Sequence, residues 1–328
     1  MSTGLPFDRA VQALSQARVV AIACHVNPDA DAIGSMLGLS NHLRARGTST
    51  VCSFPNDPFD VPRWAATLPG REALVPPREF PKEPQMMVTC DTASMDRLSM
   101  LAASAVRAEV LIWIDHHVSN EGLGTIPLID GRASSTAEIV WRLLRGIGGE
   151  IPVESAACLY AGLVTDTGRF QYEAVRPDTL RLGAELREFP FEHTRLVQAL
   201  YEDNTTAYLR VLGVALERIS VEPDADLVWC YLTRSDLLEA GIHPSETDDL
   251  IDVVRTAREG DVTAVIKQQR DGRFKVSLRS KGDHDVAAVA AHFGGGGHRL
   301  AAGYTSEHGL PDTVERLKAA LMGRPVEP

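Results

Sequence analysis

The sequence predicts an α/β protein of two domains. We expect an N-terminal, mostly parallel sheet flanked by helices, a smaller C-terminal α+β domain, and a cleft between them. Strand-like apolar runs alternate with helical patterns through the first half of the chain. A polar, helical stretch follows them. Beyond it, two strand-like runs meet at the Asp-Gly pair of residues 271–272, which is a strong hairpin signal.

The elements of the first half can be assigned in order from composition and spacing. Apolar, β-branched runs indicate buried strands, and apolar residues at helical spacing indicate helices. Gly47 stands where a helix C-cap belongs, and prolines crowd the connection that begins at residue 55. The predicted elements are a strand at 19–26, a helix at 31–46, a strand at 48–54, surface connections at 55–84, a strand at 86–90, a short helix near 95–104, a strand at 110–115, a helix from 134 to about 144 and a helix at 154–165.

The second half has a different pattern. Residues 186–212 read as polar helix and are the candidate connection between the domains. We therefore place the first domain at 1–186, a helical linker at 187–215 and the second domain at 216–328. The predicted elements of the second domain are strands at 227–232, 262–268 and 274–279, and helices at 235–241, 247–259 and 285–292.

Composition excludes several classes of protein. With 328 residues, 44% hydrophobic and 23% charged, the chain is long enough for two cores. No apolar run approaches 18 residues, and residues 1–9 lack a basic region before an apolar core, so we expect neither a membrane span nor a signal peptide. The five cysteines have no zinc-finger or redox spacing, which fits a reducing cytoplasm. A net charge of −11 argues against long nucleic acids but permits a small phosphate substrate bound through cations.

Histidine and aspartate residues follow the apolar segments where those segments end. Open α/β sheets bind their ligands at the carboxyl ends of their strands. Taken alone, Asp29 and Asp31 would be helix caps and His25 a structural histidine. The whole set is too large for capping and indicates a metal centre. Its members are His25, Asp29, Asp31, Asp91, Asp115, His116, His117 and Asp166.

The ligand types restrict the metal. Imidazole and carboxylate without thiolate suit Mn²⁺, Mg²⁺, Co²⁺ or a carboxylate-rich Zn²⁺ site rather than structural zinc. So many ligands are best accommodated by two divalent ions that share one carboxylate. Sites of this kind typically hydrolyse phosphate esters.

The second domain carries candidate substrate contacts. The run Gly294–Gly297 lets a ligand approach the backbone closely, although a flexible turn is the alternative. Arg279, at the end of a predicted strand, could bind phosphate through two hydrogen bonds, or could simply be exposed. In the first domain, Ser135 could bind phosphate at a helix start or only cap that helix.

These motifs resemble a known family. The segment from His25 to Ser35, Asp91, Asp115-His116-His117 and Thr165-Asp166-Thr167-Gly168 resemble the four motifs of the DHH phosphoesterase superfamily. The segment Gly294 to Gly303 resembles the signature of the DHHA1 domain. The resemblance covers nearly the whole chain in the expected order. In length and domain content, the chain is most similar to the stand-alone bifunctional oligoribonuclease and pAp phosphatase group, the nano-RNase type.

The resemblance implies a role for each candidate. His25, Asp29 and Asp91 would hold the first ion, with Mn²⁺ as the first choice of metal and Mg²⁺ or Co²⁺ as alternatives. Asp31, Asp91, His116 and Asp166 would hold the second ion, so that Asp91 bridges the two. In catalysis, His117 would face the phosphate and Asp115 would orient an imidazole. The expected substrate contacts are Arg279, Gly295, Gly296, Gly297, His298 and Ser135.

The resemblance also implies the reaction. We expect hydrolysis of short oligoribonucleotides and of linear dinucleotides such as pApA and pGpG to 5′-mononucleotides, and of pAp to AMP, with a part in cyclic dinucleotide turnover. The expected protein is a cytoplasmic homodimer without long nucleic acid or membrane partners. Two alternatives stay open. One is an inorganic pyrophosphatase or polyphosphatase of the same superfamily, and the other is a non-catalytic nucleotide-binding regulator.

Overall fold

The computed structural model describes residues 4–120 and 122–325. The chain divides into two compact units, Met1–Asp203 and Asn204–Pro328, and the division falls inside the predicted linker. Among the described residues, no helix combines the length and the apolar composition that a membrane crossing needs.

The first unit is built on a parallel sheet of five strands in the order β2-β1-β3-β4-β5. The strands are β1 (Val19–Cys24), β2 (Ser49–Ser53), β3 (Met86–Cys90), β4 (Val110–Asp115) and β5 (Ile126–Ile129). The helices are α1 (Leu5–Gln16), α2 (Ala30–Ala45), α3 (Ala102–Arg107), α4 (Thr136–Ile147), α5 (Val153–Asp166), α6 (Pro177–Arg187) and α7 (His193–Tyr201).

Both faces of this sheet are buried, which explains why its strands are almost continuously apolar. Alternate residues of β1 enter two different hydrophobic clusters. Val20 and Ile22 pack in one, whereas Ala21 and Ala23 pack in the other. The predicted α/β class with helices on both faces of a parallel sheet is confirmed.

The strand register aligns the positions at which the strands end. Cys24 pairs with Cys90, and Cys90 pairs with Ile114, so β1, β3 and β4 reach the carboxyl edge in one row, and β4 continues one residue further to Asp115. The residues that follow them are therefore neighbours at the carboxyl edge. Since β2 and β3 lie on opposite sides of β1, the chain reverses direction across the sheet between β1 and β3, which is where such sheets form their ligand crevice.

Helices α2 and α5 pack closely because glycines face the contact. A Cβ added to Gly34 would lie 2.4 Å from the carbonyl oxygen of Cys158, and one added to Gly162 would lie 2.6 Å from Asp31 Oδ1. This close approach brings the first turn of α2 next to the last turn of α5. Asp166 is the final residue of α5, as predicted for a helix end.

The second unit is a six-stranded mixed sheet in the order β10-β11-β9-β8-β7-β6, in which only the β7–β8 pair is parallel. Its strands are β6 (Ser220–Glu222), β7 (Leu227–Leu232), β8 (Val262–Gln268), β9 (Phe274–Ser280), β10 (Gly296–His298) and β11 (Ala301–Ser306). Its helices are α8 (Thr206–Glu217), α9 (Arg234–Ala240), α10 (Leu250–Val254), α11 (Val286–His292) and α12 (Leu310–Leu321).

The buried carboxylate of Asp261 holds the loop that follows β9. It accepts hydrogen bonds from Ser280 Oγ at 2.7 Å and from the backbone N–H groups of Lys281 and His284 at 2.9 and 3.1 Å. Burial raises the pKa of Asp261, but hydrogen bonds from Ser280, Asp283 and His284 outweigh burial and lower the pKa to about 2. The carboxylate therefore fixes the connection between β9 and α11.

One predicted element is much shorter than the sequence indicated. The helix predicted at 247–259 covers only Leu250–Val254. The N–H groups of Thr256 and Ala257 bond to carbonyls three residues back, at Val253 and Val254, so the last turn tightens and the helix ends. The predicted hairpin at residues 271–272 is confirmed, because β8 and β9 pair antiparallel on either side of it.

Candidate metal centre

The first group of ligands is formed where β1 and β3 end. His25 is buried, and its Nε2 lies 3.7 Å from Asp29 Oδ2 and 3.4 Å from Asp91 Oδ2. Asp29 is the N-cap of α2 and accepts a hydrogen bond from the N–H of Ala32 at 2.9 Å. Capping uses Oδ1 of Asp29 and leaves Oδ2 directed at His25, so capping and metal binding are compatible.

The second group joins α2, α5 and the end of β4. His116 Nε2 lies 3.6 Å from Asp91 Oδ1 and 3.4 Å from Asp166 Oδ2. Asp31 belongs to the same group, and the possible ligand atoms of Asp31, His116 and Asp166 all lie within 4.8 Å of one another. Asp91 therefore presents one carboxylate oxygen to His25 and the other to His116.

The backbone turns sharply at Asp91. This residue has φ of 56°, a conformation that costs free energy for a side chain other than glycine. Its N–H donates to the carbonyl oxygen of Ile114 at 2.9 Å, and Thr136 Oγ1 donates to its carboxylate at 2.9 Å. Those two bonds hold the carboxylate at the centre of the cluster.

Asp31 also joins two helices. Its Oδ2 accepts the N–H of Thr136 at 2.6 Å, and its Oδ1 accepts the N–H of Ala137 at 2.9 Å. These N–H groups begin helix α4 and would otherwise lack a partner within it. The Asp31 carboxylate is thus fixed in position by α4.

Asp115 is fully buried and organises the two histidines that follow it. Its Oδ1 accepts the N–H of His116 at 2.9 Å and a hydrogen bond from His117 Nδ1 at 2.6 Å. Its Oδ2 accepts Asn120 Nδ2 at 2.7 Å. With its oxygens engaged in this way, Asp115 fixes the orientation of the His117 ring.

Electrostatics show how strongly this cluster favours a cation. Burial raises the pKa of Asp31 and that of Asp166 well above the ordinary value, and the nearby charge of Asp91 raises both further. Burial lowers the pKa of His25, but the carboxylates of Asp29 and Asp91 raise it to about 10. Buried like charges of this kind are expensive unless a counter-charge neutralises them.

The residues fit a metal ion on two independent grounds. Two donors that bind one ion at about 2.1 Å are roughly 3.0–3.4 Å apart, close to the observed nitrogen–oxygen separations of 3.4–3.7 Å. The donor set is imidazole and carboxylate. Cys24 and Cys90 are buried thiols whose pKa burial raises, so they do not offer thiolate ligands. The cluster could hold a metal ion of the type that binds oxygen and nitrogen.

His117 lies at the edge of the cluster. Its Nδ1 is 3.7 Å from Asp91 Oδ1, and it forms a further possible ligand group with Asp91 and His116. Burial lowers its pKa, but the hydrogen bond to Asp115 and the charge of Asp91 outweigh burial and raise it. This imidazole therefore retains its proton more readily than an ordinary histidine.

In the second unit, the strand register brings several of the predicted substrate residues together. Ala301 pairs with Arg279 on one side and with His298 on the other. The Arg279 side chain donates to the carbonyl oxygen of Leu278 at 3.1 Å and approaches Asp252 at 3.9 Å. The side chain of His298 lies outside the part of the chain that the structure describes.

The glycine run is partly explained by strand packing. Gly297 has φ of 144°, and a Cβ there would lie 2.5 Å from Ala302 Cα. A Cβ on Gly295 would lie 2.2 Å from the carbonyl oxygen of Gly303, whereas one on Gly296 would meet nothing. Gly297 in β10 and Gly295 just before it are thus required by their close approach to β11, and all three glycines are exposed.

Ser135 and two further residues lie around the candidate metal centre. Ser135 is buried and caps α4 by accepting the N–H of Glu138 at 3.2 Å, and its contact with substrate stays a prediction. Sequence reasoning missed Asn120, although its place three residues after the Asp-His-His run was a signal. It also missed Arg97, whose Nη2 lies 2.9 Å from His25 Nδ1, since nothing local in the sequence indicates that contact.

Comparison with known proteins identifies two families. The family described as "DHH family, N-terminal domain" matches residues 19–163, which contain nearly all of the candidate metal centre. The family described as "DHHA1 domain" matches residues 226–323, within the second unit.

Individual relatives agree with these matches. The "Bifunctional oligoribonuclease and PAP phosphatase NrnA" of Thermus thermophilus is 32% identical over 301 residues, which are 92% of this chain and 88% of that protein. The solved structure of an "exopolyphosphatase-related protein" from Bacteroides fragilis has a TM-score of 0.90 at 25% identity and covers 97% of this chain and 96% of its own. RecJ of T. thermophilus, solved with Mn²⁺, shares the fold at a TM-score of 0.60 and 16% identity, and covers 98% of this chain and 55% of its own.

Proposed function

The chain belongs to the DHH family and carries a DHHA1 domain, and on this basis we propose that it is a metal-dependent phosphoesterase acting on short nucleotides. Its proposed reactions are hydrolysis of short oligoribonucleotides and of linear dinucleotides such as pApA and pGpG to 5′-mononucleotides, and of pAp to AMP. The observation that carries the proposal is the convergence of His25, Asp91, His116 and Asp166 from four separate elements. The oligoribonuclease and PAP phosphatase relative supports the choice of substrates.

We propose two ion sites in the first unit. His25, Asp29 and Asp91 hold one divalent ion, and Asp91 together with the second group holds the other. That second group consists of Asp31, His116 and Asp166. Bound there, the ions supply Lewis-acid stabilisation of the negative charge that develops on the phosphoryl oxygens. Mn²⁺ is the proposed metal, with Mg²⁺ as the alternative, and RecJ of T. thermophilus is solved with each of these ions.

His117 is proposed to act on the substrate as a proton donor or a phosphate-binding group. Asp115 accepts its Nδ1 hydrogen bond at 2.6 Å, so the ring presents Nε2 to the reacting phosphate. Asn120 holds the second oxygen of Asp115, which keeps the carboxylate, and through it the imidazole, in one orientation. The raised pKa of His117 suits a group that delivers a proton to the leaving oxygen.

We propose that the second unit binds the nonreacting part of the substrate. Arg279 binds a phosphate through its guanidinium, and the exposed backbone of Gly295, Gly296 and Gly297 lets the ligand approach closely, with His298 next in the chain. The preference for short chains is consistent with the net charge of −11, which disfavours long nucleic acids. We further propose that the protein is a cytoplasmic homodimer, in which its five free cysteines stay reduced.

A direct comparison of substrates tests the proposal. The purified chain with Mn²⁺ is given pApA, pAp, a five-nucleotide RNA, a 24-nucleotide RNA and pyrophosphate at equal concentration, and AMP or phosphate release is followed. We expect AMP from pApA and pAp, with kcat/KM falling steeply for the longer RNA. The control variant Asp91→Asn is expected to be inactive on all of them. Preferential release of phosphate from pyrophosphate would favour the pyrophosphatase alternative, and binding without turnover would favour the regulator.

A further inference from the structure

The second unit contains a cavity that none of the proposed substrate residues lines. It has a volume of about 200 Å³ and lies among residues from the end of α11, from β11 and from α12. One wall is aromatic, because the rings of Phe293 and Tyr304 stack with their centroids 4.5 Å apart and their planes 22° apart. The volume is below the roughly 300–1,000 Å³ of pockets for drug-sized ligands, so the cavity suits a small ligand.

Two hydrogen-bond donors in the cavity lining have no acceptor in the described part of the chain. Tyr304 is only 5% exposed, and its hydroxyl has no hydrogen-bond partner among the described residues. The Nε of Arg316 is also buried and without a partner in that part of the chain. Buried polar groups in native proteins are nearly always paired, so two orphan donors in one cavity indicate an acceptor that the protein itself does not provide.

Two hydroxyl groups of the lining already have hydrogen-bond partners. Ser306 Oγ and Thr313 Oγ1 are 2.7 Å apart, and Thr313 Oγ1 also donates to the carbonyl oxygen of His308 at 3.2 Å. This small network closes one wall without consuming either orphan donor. Glu307, the carboxylate in the lining, is exposed. Arg316 carries no ion pair among the described residues, so its charge acts on the cavity.

We propose that this cavity binds a phosphate group, either free phosphate or the phosphate of a small monoester. The guanidinium of Arg316 supplies the positive charge and a directed N–H, and the hydroxyl of Tyr304 supplies a second donor. The tetrahedral oxyanion offers several acceptor oxygens at once, which matches donors that lie on β11 and α12. The site shares no residue with the proposed catalytic centre, so it does not depend on the proposed reaction.

Isothermal titration calorimetry on the full-length protein tests this site. Inorganic phosphate, glycerol phosphate and acetate are titrated at constant ionic strength in a buffer with chelator, so that phosphate held through metal ions does not contribute. We expect saturable binding of phosphate or of glycerol phosphate, which distinguishes the free anion from the monoester. Acetate carries less charge and fewer acceptor oxygens and is expected to bind more weakly.

Variants locate the binding. Arg316→Gln is expected to weaken phosphate binding about tenfold or more, equivalent to about 1.4 kcal/mol. Tyr304→Phe keeps the aromatic stack but removes the hydroxyl, and is expected to weaken binding by a smaller factor. Glu307→Gln should strengthen binding because it removes a negative charge from the lining. Arg324→Gln, the same charge change on an exposed residue outside the lining, should have no effect.

Three results would overturn the proposal. The first is the absence of saturable phosphate or monoester binding to the unmodified protein. The second is a phosphate affinity of Arg316→Gln and Tyr304→Phe that equals the affinity of the control variant Arg324→Gln. The third is acetate binding as tight as phosphate binding. Thermal unfolding of every variant without ligand checks that a loss of binding is not a loss of folding.

Discussion

Replacing Asp91 with asparagine removes the charge at the centre of the proposed metal site and keeps the side-chain shape. The oxygens of Asp91 lie 3.4 Å from His25 Nε2 and 3.6 Å from His116 Nε2, so this carboxylate belongs to both proposed ion sites. The substituted amide can still accept the hydrogen bond from Thr136 Oγ1. The expected loss is therefore mainly one of metal affinity.

The size of the effect can be estimated from linkage. At a Mn²⁺ concentration of 100 times its dissociation constant, the metal stabilises the folded protein by about 2.7 kcal/mol. Removing a group that only orients a metal ligand lowers the metal affinity about 10–100-fold. Removing a ligand that both ions share should therefore lower it at least about 100-fold. The stabilisation then falls to about 0.4 kcal/mol. For a unit of about 200 residues, the difference corresponds to roughly 5–9 °C in Tm.

Thermal unfolding with and without Mn²⁺ measures this effect. We expect Mn²⁺ to raise the Tm of the unmodified protein and of the exposed control Asp60→Asn, but to raise that of Asp91→Asn by only a degree or two. Turnover of pApA by Asp91→Asn should fall by at least about 10²–10³-fold, since each tenfold is about 1.4 kcal/mol of barrier. Without metal, the Tm of Asp91→Asn should differ from that of the unmodified protein by less than the difference that Mn²⁺ produces. Equal Mn²⁺ stabilisation of Asp91→Asn and Asp60→Asn would show that Asp91 is not a ligand of the metal.

Three further predictions concern residues around the two sites. Arg279→Ala should raise KM more than it lowers kcat, because it removes mostly ground-state binding; initial-rate kinetics on pApA measure both, and an unchanged KM would remove Arg279 from the substrate site. Asn120→Ala should lower kcat by about 10–100-fold, because Asp115 loses one hydrogen bond and no longer holds the His117 ring in one orientation. The stabilisation by Mn²⁺ should stay intact, and a loss of Mn²⁺ binding would contradict this positioning role. Asp261→Asn should cost about 2 kcal/mol at pH 7, since a pKa of about 2 instead of 3.8 stabilises the ionised form by about 1.4 kcal/mol per unit. That contribution is complete above about pH 4 and is lost as the pH falls towards 2. Urea unfolding should therefore show a smaller difference in unfolding free energy between the unmodified protein and Asp261→Asn at pH 3 than at pH 7. An equal difference at both pH values would contradict the assignment.

The positions of the metal-site residues at the ends of strands were predictable because their sequence signal is local. An apolar run that ends in Asp or His marks a buried strand with a polar terminus, as at Asp115 and Asp91. The parallel register then aligns such ends without further information, since Cys24, Cys90 and Ile114 form one row. The metal-site residues of the first unit could therefore be predicted from the sequence, because local patterns mark the ends of the strands and the parallel register places those ends side by side.

Contacts between distant segments could not be predicted in this way. Arg97 reaches His25 from a 3₁₀ helix 72 residues away, and Thr136 reaches Asp91 across 45 residues. Such contacts depend on how side chains meet after the helices pack, which no local pattern encodes. The predicted length of α10 was wrong because the hydrogen bonds of Thr256 and Ala257 end the helix early, and no Gly or Pro marks that end in the sequence.

The metal content of the first unit tests the proposed two-ion centre most directly. Crystals grown with Mn²⁺ and measured at the manganese absorption edge report the ions by their anomalous scattering. We predict two peaks, one bounded by His25, Asp29 and Asp91 and the other by Asp31, His116 and Asp166 with Asp91 between them. Anomalous maps without a peak at this cluster, together with a Mn²⁺ titration that releases no binding heat, would contradict the proposal that these residues bind metal ions.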